Sequence, residues 1–248
     1  NRYYFDENTG EPLINSEEGV KATLEHVNSL KYHHKDGLSW GWPEQYSNFG
    51  AGGAATTVAV ANLSKFLDNK SNPDTKNIHG KLYSALAPGR VINGNLIRRP
   101  VWYPHVGHGV SSSTKYAEAA YLVLQWASDG MVSSWLTANP AGYYDPCRVP
   151  HLSDPLLVEK YHPYNIASEK VSMLRCTPPL VIPGVVQFQT ALDVNLQEAG
   201  AGRITAEQAM EKTAKAWKKT IRRIGEKRHI EAVKSSRPGW PTIVDQPS

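Results

Sequence analysis

Two histidines three residues apart, His105 and His108, lie in the segment VWYPHVGHGVSSST between an aromatic pair and a run of serines. Imidazole rings bind metals, and activated serine hydroxyls act as nucleophiles. In a strand, residues i and i+3 point to opposite faces, and Pro104, Gly107 and Gly109 disfavour a helix here. The spacing therefore argues against a metal site, and GVSSST does not match the G-x-S-x-G pattern of a nucleophilic serine.

Other arrangements typical of enzymes are equally weak. Cys147 lies beside Arg148, which could activate the thiol, but no motif places a histidine to act as its base. A glycosidase needs two opposed carboxylates, and Glu44 and Asp145 are only two of 23 acidic residues. The glycines of GAGGAATT precede a predicted strand, whereas nucleotide-binding loops follow one. We therefore expect a protein without catalytic activity, without a bound metal and without a cofactor.

Aromatic residues are frequent beside glycine and proline in the predicted loops. Flat rings next to polar groups suit sugars, but such rings can also fill gaps between a loop and the core. Both interpretations stay open for six loop aromatics: Trp40, Trp42, Trp102, Tyr103, Tyr143 and Tyr144. Three other tryptophans, Trp126, Trp135 and Trp217, fall on periodic apolar faces of predicted helices, which indicates core positions.

Composition narrows the class of protein. The 248 residues carry a net charge of +4 and are 40% hydrophobic, which is ordinary for a globular chain of one large or two small domains. Ten lysines and arginines lie between Lys212 and Arg237. Apolar residues in the same stretch recur every three or four positions, so we interpret the run as the solvated face of an amphipathic helix and expect no nucleic-acid partner.

The cysteines and the first residues bear on the compartment. Two cysteines, Cys147 and Cys176, are too few for a cysteine-rich zinc module, and a single disulfide bridge between them stays open in an oxidising compartment. The chain begins NRYYFDENTG, without a methionine or an apolar leader, which is typical of a mature, cleaved or incomplete product. No apolar run approaches the roughly 18–20 residues that span a bilayer.

Hydrophobic periodicity predicts an α/β fold with more helices than strands. The β-branched run at 56–60 predicts a buried strand, residues 81–87 predict a second strand, and the dipeptide Asn93-Gly94 predicts a hairpin.

The predicted helices have recognisable boundaries. Asn15, with Glu18 three residues later, is predicted to cap the first helix, and Thr205 with Gln208 is predicted to cap the basic one. Long helices are also expected over residues 115–136 and 185–199, and a helix is expected to start after Ser153 at Pro155.

Five segments resemble, in order, motifs of the family 1 extracellular solute-binding proteins, which are the maltose-binding-protein-like substrate-binding proteins of ABC transporters. They are PLINSEEGVKATLEHVNSL, PEQYSNFGAGGAATTVAVANLSKF, YSALAPG, VGHGVSSSTKYAEAAYLVLQWASDGMVSSWL and IPGVVQFQTALDVNLQEAGAGRITAEQAMEKTAKAWKKTI. The five are collinear from about residue 13 to residue 228, and this order makes the resemblance specific.

The resemblance implies a periplasmic-binding-protein-like fold of type II, whose two lobes are each assembled from separated chain segments. Residues 1–99 would form the first part of the C-terminal lobe, and residues 100–154 would cross over and return into the N-terminal lobe. Residues 155–233 would supply the closing helices of the C-terminal lobe, followed by an extended tail at 234–248. Most of the N-terminal lobe would then come from a missing segment or from a second chain.

The implied function is the binding of a solute, a sugar or a related polyol or oligosaccharide, in a cleft between the lobes. The partners would be this solute and the permease subunits of an ABC importer. The place would be periplasmic or extracellular, with a lipoprotein anchor also compatible. Ligand would stack on the loop aromatics and accept or donate hydrogen bonds at Asn62, Arg148 and Gln189, although Arg148 could instead pair with a loop carboxylate.

This chain departs from the family at several positions. Asn62 and Gln189 stand at or beside positions where relatives carry a stacking tryptophan, and Thr56 replaces the usual methionine. Two other functions therefore stay open. One is an accessory or structural subunit that reuses this fold in an assembly, and the other is a secreted carbohydrate-active enzyme.

Overall fold

The computed structural model describes residues 4–92, 94–98, 108–176 and 179–239. Helices dominate these ranges, which contain one two-stranded sheet. The elements are α1 (Glu17–Ser29), α2 (Trp42–Gly50), α3 (Leu63–Leu67), β1 (Arg90–Ile92), β2 (Asn95–Ile97), α4 (Ala117–Ala127), α5 (Gly130–Ala138), α6 (Pro155–Tyr161), α7 (Pro163–Arg175), α8 (Val185–Gly200), α9 (Ala206–Ile224) and α10 (Glu226–Ser236). Within the described ranges, no helix has the length and apolar character needed to cross a membrane.

The described residues form two compact units. The first comprises residues 4–42 and 179–239, and the second comprises residues 43–92, 94–98 and 108–176. The first unit therefore contains α1 and α8–α10. The second contains β1, β2, all of α3–α7 and all of α2 except its first residue, Trp42. The lobes implied by the family resemblance, with boundaries at 99/100 and 154/155, stay a prediction.

The core of the first unit surrounds Trp217 on α9. Its indole packs against Phe5 and Phe188, with ring centroids 5.0 and 5.4 Å apart, and its Nε1 donates a hydrogen bond of 2.8 Å to the Phe188 carbonyl oxygen. Met210 and Ile221 are buried on the same face of α9, whereas the lysines and arginines of this helix are exposed. The core position of Trp217 and the amphipathic character of α9 are thus confirmed, but the basic run does not form one helix, because Gly225, with a φ of 97°, separates α9 from α10.

One helix cap follows the prediction and another does not. At α9, the Thr205 hydroxyl accepts a hydrogen bond from the backbone N–H of Gln208 at 3.2 Å, and the Gln208 side chain accepts one from the backbone N–H of Thr205 at 2.9 Å. At α1 the predicted cap, Asn15, is wrong. Ser16 caps this helix, since its hydroxyl accepts a hydrogen bond from the Gly19 backbone N–H at 3.4 Å, and the Asn15 amide donates one to Glu211 at 2.9 Å.

The second unit contains the predicted hairpin but not the two predicted strands. β1 and β2 pair antiparallel, with Val91 opposite Leu96, and Gly94 has the positive φ of 81° that a tight turn requires. Residues 56–60 and 81–87 are irregular, and Val58 is 84% exposed. A β-branched run forms a strand only where neighbouring strands satisfy its backbone and cover its faces, and the described part of the chain offers neither here.

The helix predicted over residues 115–136 is divided into α4 and α5. The break occurs at Asp129, whose carboxylate accepts a hydrogen bond from the Met131 backbone N–H at 3.0 Å and so caps α5. Trp126 on α4 and Trp135 on α5 are each 60% exposed, so their predicted core positions are wrong in the described unit.

A second core joins α5, α6 and α7. Leu157, Tyr161 and Ile166 are buried together with Ala138 at the end of α5. α6 begins at Pro155 as predicted, and the Asp154 carboxylate caps it by accepting a hydrogen bond from the Leu156 N–H at 2.9 Å. This core underlies the loop that carries Tyr143 and Tyr144.

Candidate functional site

The nine residues predicted to bind ligand are distributed over both units. The first unit holds Trp40, Trp42 and Gln189, the second holds Asn62, Tyr143, Tyr144 and Arg148, and Trp102 and Tyr103 lie outside the described residues. The structure brings three of the nine together at one loop: Asn62 donates hydrogen bonds to the Tyr143 carbonyl oxygen and to the carboxylate of Asp145, which directly follows Tyr144 in the chain.

Asn62 anchors the loop of residues 139–145, which we call the tyrosine loop. It is 7% exposed, and its backbone N–H donates to the Asp145 carboxylate at 2.6 Å. Its side-chain amide donates to the Tyr143 carbonyl oxygen at 3.0 Å and to the second Asp145 oxygen at 3.3 Å. Asn62 therefore holds the backbone of the tyrosine loop in place.

Two buried side chains, Lys65 and Tyr161, also hold the backbone of this loop by hydrogen bonds. The Lys65 ammonium, 3% exposed, donates to the carbonyl oxygens of Thr137 at 2.6 Å and of Tyr144 at 3.2 Å. The Tyr161 hydroxyl donates to the same two carbonyl oxygens. Two buried donors thus hold the backbone of Tyr144.

The charges of this cluster are perturbed by burial. Burial lowers the pKa of Lys65 to about 8, although the nearby Asp145 carboxylate opposes the shift. Burial raises the pKa of Asp145, opposed by the hydrogen bond from the Asn62 backbone and by the Lys65 charge. Burial also raises the pKa of Glu169 to about 7, with a further contribution from Asp145. Lys65, Asp145 and Glu169 are thus buried or partly buried titratable side chains that interact electrostatically through Asp145.

The tyrosine loop presents aromatic rings to solvent from this fixed backbone. The Tyr143 residue is 68% exposed and Tyr144 is 45% exposed. A small pocket beside Tyr143 is lined also by Tyr46, Phe66 and the backbone turn at Gly142. Exposed rings next to a pocket and to polar groups are a surface on which a sugar ring could stack.

The sequence prediction missed Lys65, Asp145, Tyr161 and Glu169 as members of this cluster. The sequence contained one signal, since Lys65 stands between the apolar residues Leu63 and Leu67. In the structure all three residues are buried in α3. A lysine at a core position must have acceptors within reach, and its partners here are carbonyl oxygens far along the chain.

The predicted ligand-binding residues of the first unit differ in how far their side chains are exposed to solvent. The Trp40 ring stacks on His34, with centroids 4.3 Å apart and planes at 22°. Trp42 is 51% exposed at the start of α2, and Gln189 is exposed on α8. Trp42 is therefore the more open of the two indoles.

Two predicted residues, Cys147 and Arg148, lie shortly after the tyrosine loop, and Cys176 directly follows α7. The Arg148 guanidinium donates a hydrogen bond to the carbonyl oxygen of Ser128, and within the described part of the chain it forms no ion pair with a loop carboxylate. Cys147 is exposed, whereas the Cys176 thiol is partly buried and donates to the Met173 carbonyl oxygen at 3.3 Å. Both cysteines are free, so the disulfide bridge that the sequence left open is not formed in this structure.

Comparison with known proteins identifies a structural relative. The chain is similar to the maltose-bound MalE3 of T. maritima, with a TM-score of 0.65 and 19% sequence identity. The two chains share a fold. The match covers 87% of this chain and 53% of the other, so this chain spans about half the length of that structure. No protein-family model matches this chain, and no curated protein matches it.

This similarity supports the solute-binding-protein fold that the five sequence motifs predicted. At 19% identity it concerns the fold alone. The assignment to family 1, the arrangement of two lobes and the identity of the ligand-binding residues stay predictions.

A second polar cluster in the second unit centres on Asp68. This residue is 7% exposed, and one carboxylate oxygen lies 2.8 Å from His79 Nδ1 and accepts a hydrogen bond of 2.6 Å from the Gly80 N–H. The other oxygen accepts a hydrogen bond of 2.9 Å from the Tyr164 hydroxyl and lies 3.8 Å from His162 Nε2. Burial opposes ionisation, but these partners together hold the pKa of Asp68 below its ordinary value.

The Asp68 cluster predicts a dependence of stability on acid. Because the pKa of Asp68 is lower in the folded state, the unfolded state binds more protons as the pH falls below about 4, and stability is lost through the folded pKa. We expect Asp68→Asn to weaken this acid dependence and to cost about 1–3 kcal/mol near pH 6. Urea unfolding between pH 2.5 and 6 measures both effects. The exposed Asp193→Asn is the control, and an unchanged acid slope in Asp68→Asn would contradict the prediction.

Proposed function

We propose that this protein is the sugar-binding component of an ABC importer, with a sugar or a related polyol or oligosaccharide as its solute. The observation that carries the proposal is the shared fold with a structure that contains bound maltose. The collinear family motifs between residues 13 and 228 support it independently of the coordinates.

The tyrosine loop is the part of the described structure best suited to a sugar. Its two rings are exposed, while their backbone is fixed by Asn62, Lys65 and Tyr161. A ring carried on a fixed backbone segment loses less conformational entropy when a ligand stacks on it than one on a loose loop, and this favours affinity. The sequence also predicts Trp42, Gln189, Trp102 and Tyr103 as ligand contacts, and these stay predictions.

The proposal includes partners and a place. An importer component of this kind delivers its solute to permease subunits in the membrane, and it acts in the periplasm or outside the cell. A further polypeptide segment or a second chain would complete the fold, since this chain spans about half of the matched structure.

A titration with a sugar panel tests the proposal. The protein expressed from its complete gene is titrated calorimetrically with monosaccharides, polyols and maltooligosaccharides, and the solutions are then analysed for cleavage products. We expect saturable binding with a micromolar Kd, or about −8 kcal/mol, and unchanged sugars. Absence of binding across the panel would contradict the proposal, and turnover would favour a carbohydrate-active enzyme.

Removal of one ring should weaken this binding. We expect Tyr144→Ala to raise the Kd of the tightest sugar about tenfold, which corresponds to about 1.4 kcal/mol, because a stacking face is lost. The matched control is Tyr116→Ala, since Tyr116 is 75% exposed in the same unit but lies outside the tyrosine loop. Equal Kd values for the two variants would exclude Tyr144 from the binding site.

A further inference from the structure

The helices α4 and α5 expose large apolar side chains of the kind that globular proteins usually bury. On α4, Leu122, Val123 and Trp126 are 56–60% exposed, and on α5 Met131 and Trp135 are 82% and 60% exposed. We call these five residues the α4–α5 stripes. On each helix they share a face, since Leu122 and Trp126, like Met131 and Trp135, are four residues apart.

The composition of α4 shows that the exposure is not the normal outer face of a surface helix. α9 of the same chain buries its apolar face and exposes its lysines and arginines. α4 has no such polar face: its 11 residues include one charged residue, Glu118, and the nine residues of α5 include none. A helix that is apolar on all sides is a buried helix, yet no residue of α4, which is described throughout, is buried.

The exposed area is large. An aromatic side chain buries about 150–250 Å² when fully covered, so Trp126 and Trp135 leave roughly 100–150 Å² each in solvent. With the three aliphatic and thioether side chains of the stripes, the exposed area is comparable with the largest apolar patch of a typical monomer, about 300–600 Å². Exposed apolar area of this size, summed over the two helices, indicates an interaction surface.

The chemistry of the stripes favours a polypeptide over a membrane. Helices that lie on membranes carry lysine and arginine beside their apolar face, and neither α4 nor α5 contains either residue. Both helices are also far shorter than the roughly 20 residues that cross a bilayer. An uncharged, apolar protein surface matches the stripes.

The length of the matched structure indicates which polypeptide covers the α4–α5 stripes. The similarity to the maltose-bound structure uses 87% of this chain but only 53% of the other, so nearly half of that single chain has no counterpart here. We infer that the α4–α5 stripes are covered by a further segment of the same polypeptide, outside these 248 residues, that packs an apolar face on them. This inference rests on the completed fold included in the proposed function, and not on the sugar specificity.

Photo-crosslinking from the stripes tests this inference. The photoreactive residue p-benzoylphenylalanine is placed at Leu122 in the protein expressed from its complete gene, and the crosslinked peptides are sequenced by mass spectrometry. The expected result is an intact mass above the 27.4 kDa of these 248 residues, with crosslinks from position 122 to a segment of the same polypeptide beyond them. The matched control is the same photoreactive residue at Tyr116, 75% exposed just before α4, which should give far fewer such crosslinks.

Methionine oxidation gives a second readout that needs no substitution. In the complete protein we expect peroxide to oxidise Met131 at least tenfold more slowly than a methionine in a short peptide, close to the rate of buried Met210. Rapid oxidation of Met131 would overturn the inference. Crosslinks only within the 248 residues, only to a second copy or only to added lipid vesicles would overturn it too. Sugar binding, measured separately, distinguishes these failures from failure of the proposed function.

Discussion

Replacement of Trp217 by alanine is expected to lower the free energy of unfolding of the first unit by about 3–5 kcal/mol. The indole is 2% exposed, packs on Phe5 and Phe188, and donates a hydrogen bond to the Phe188 carbonyl oxygen. Alanine would leave a cavity among these rings and remove the indole hydrogen bond to the Phe188 carbonyl oxygen. Amide hydrogen exchange of α8 and α9 measures the loss in the unit where it occurs.

Two variants bracket this prediction. Trp217→Phe should cost less, because it keeps most of the apolar volume and loses the indole N–H. Tyr32→Ala, at a residue 81% exposed in the same unit, should change the free energy of unfolding by less than about 0.5 kcal/mol. A loss in Trp217→Ala no greater than that in Tyr32→Ala would contradict the packing of the first unit.

Replacement of Asp145 by alanine is expected to destabilise the second unit by about 2–4 kcal/mol and to loosen the tyrosine loop. The change removes the acceptor of the Asn62 backbone N–H and the carboxylate that offsets the buried Lys65 charge. Urea unfolding gives the free energy, and hydrogen exchange of residues 142–145 reports the loop.

Charge and hydrogen bonding can be separated at this position. Asp145→Asn keeps one acceptor oxygen for the Asn62 backbone N–H but loses the negative charge and the acceptor of the Asn62 side chain, so it should cost less than Asp145→Ala. Adding Lys65→Met to Asp145→Ala should recover part of the loss, because the uncompensated buried cation is then removed. Strict additivity of these two substitutions, or a neutral Asp145→Ala, would refute the coupled cluster beneath the loop.

Local signals in the sequence predicted the elements whose stabilising contacts are themselves local. The Thr205–Gln208 capping box, the apolar face of α9 and the hairpin around Gly94 each depend on residues a few positions apart, and all three are present. The helix start at Pro155 belongs to the same class.

Elements that depend on distant partners were not predictable in this way. Residues 56–60 have the composition of a strand but no neighbouring strand in the described unit, and Trp126 has the periodicity of a core residue but no cover there. The polar cluster was missed for the same reason, because the acceptors of Lys65 lie 72 and 79 residues further along the chain. The sequence also singled out Tyr143 and Tyr144 as loop aromatics, and both are exposed, while their role as ligand contacts stays a prediction.

A crystal structure of the complete protein with its tightest-binding sugar would locate the binding site directly. We expect a sugar ring stacked on Tyr143 or Tyr144, with carbon atoms about 3.5–4.0 Å apart, while the Asn62 and Lys65 hydrogen bonds to the loop are retained. A sugar bound elsewhere, touching neither tyrosine ring, would contradict this expectation.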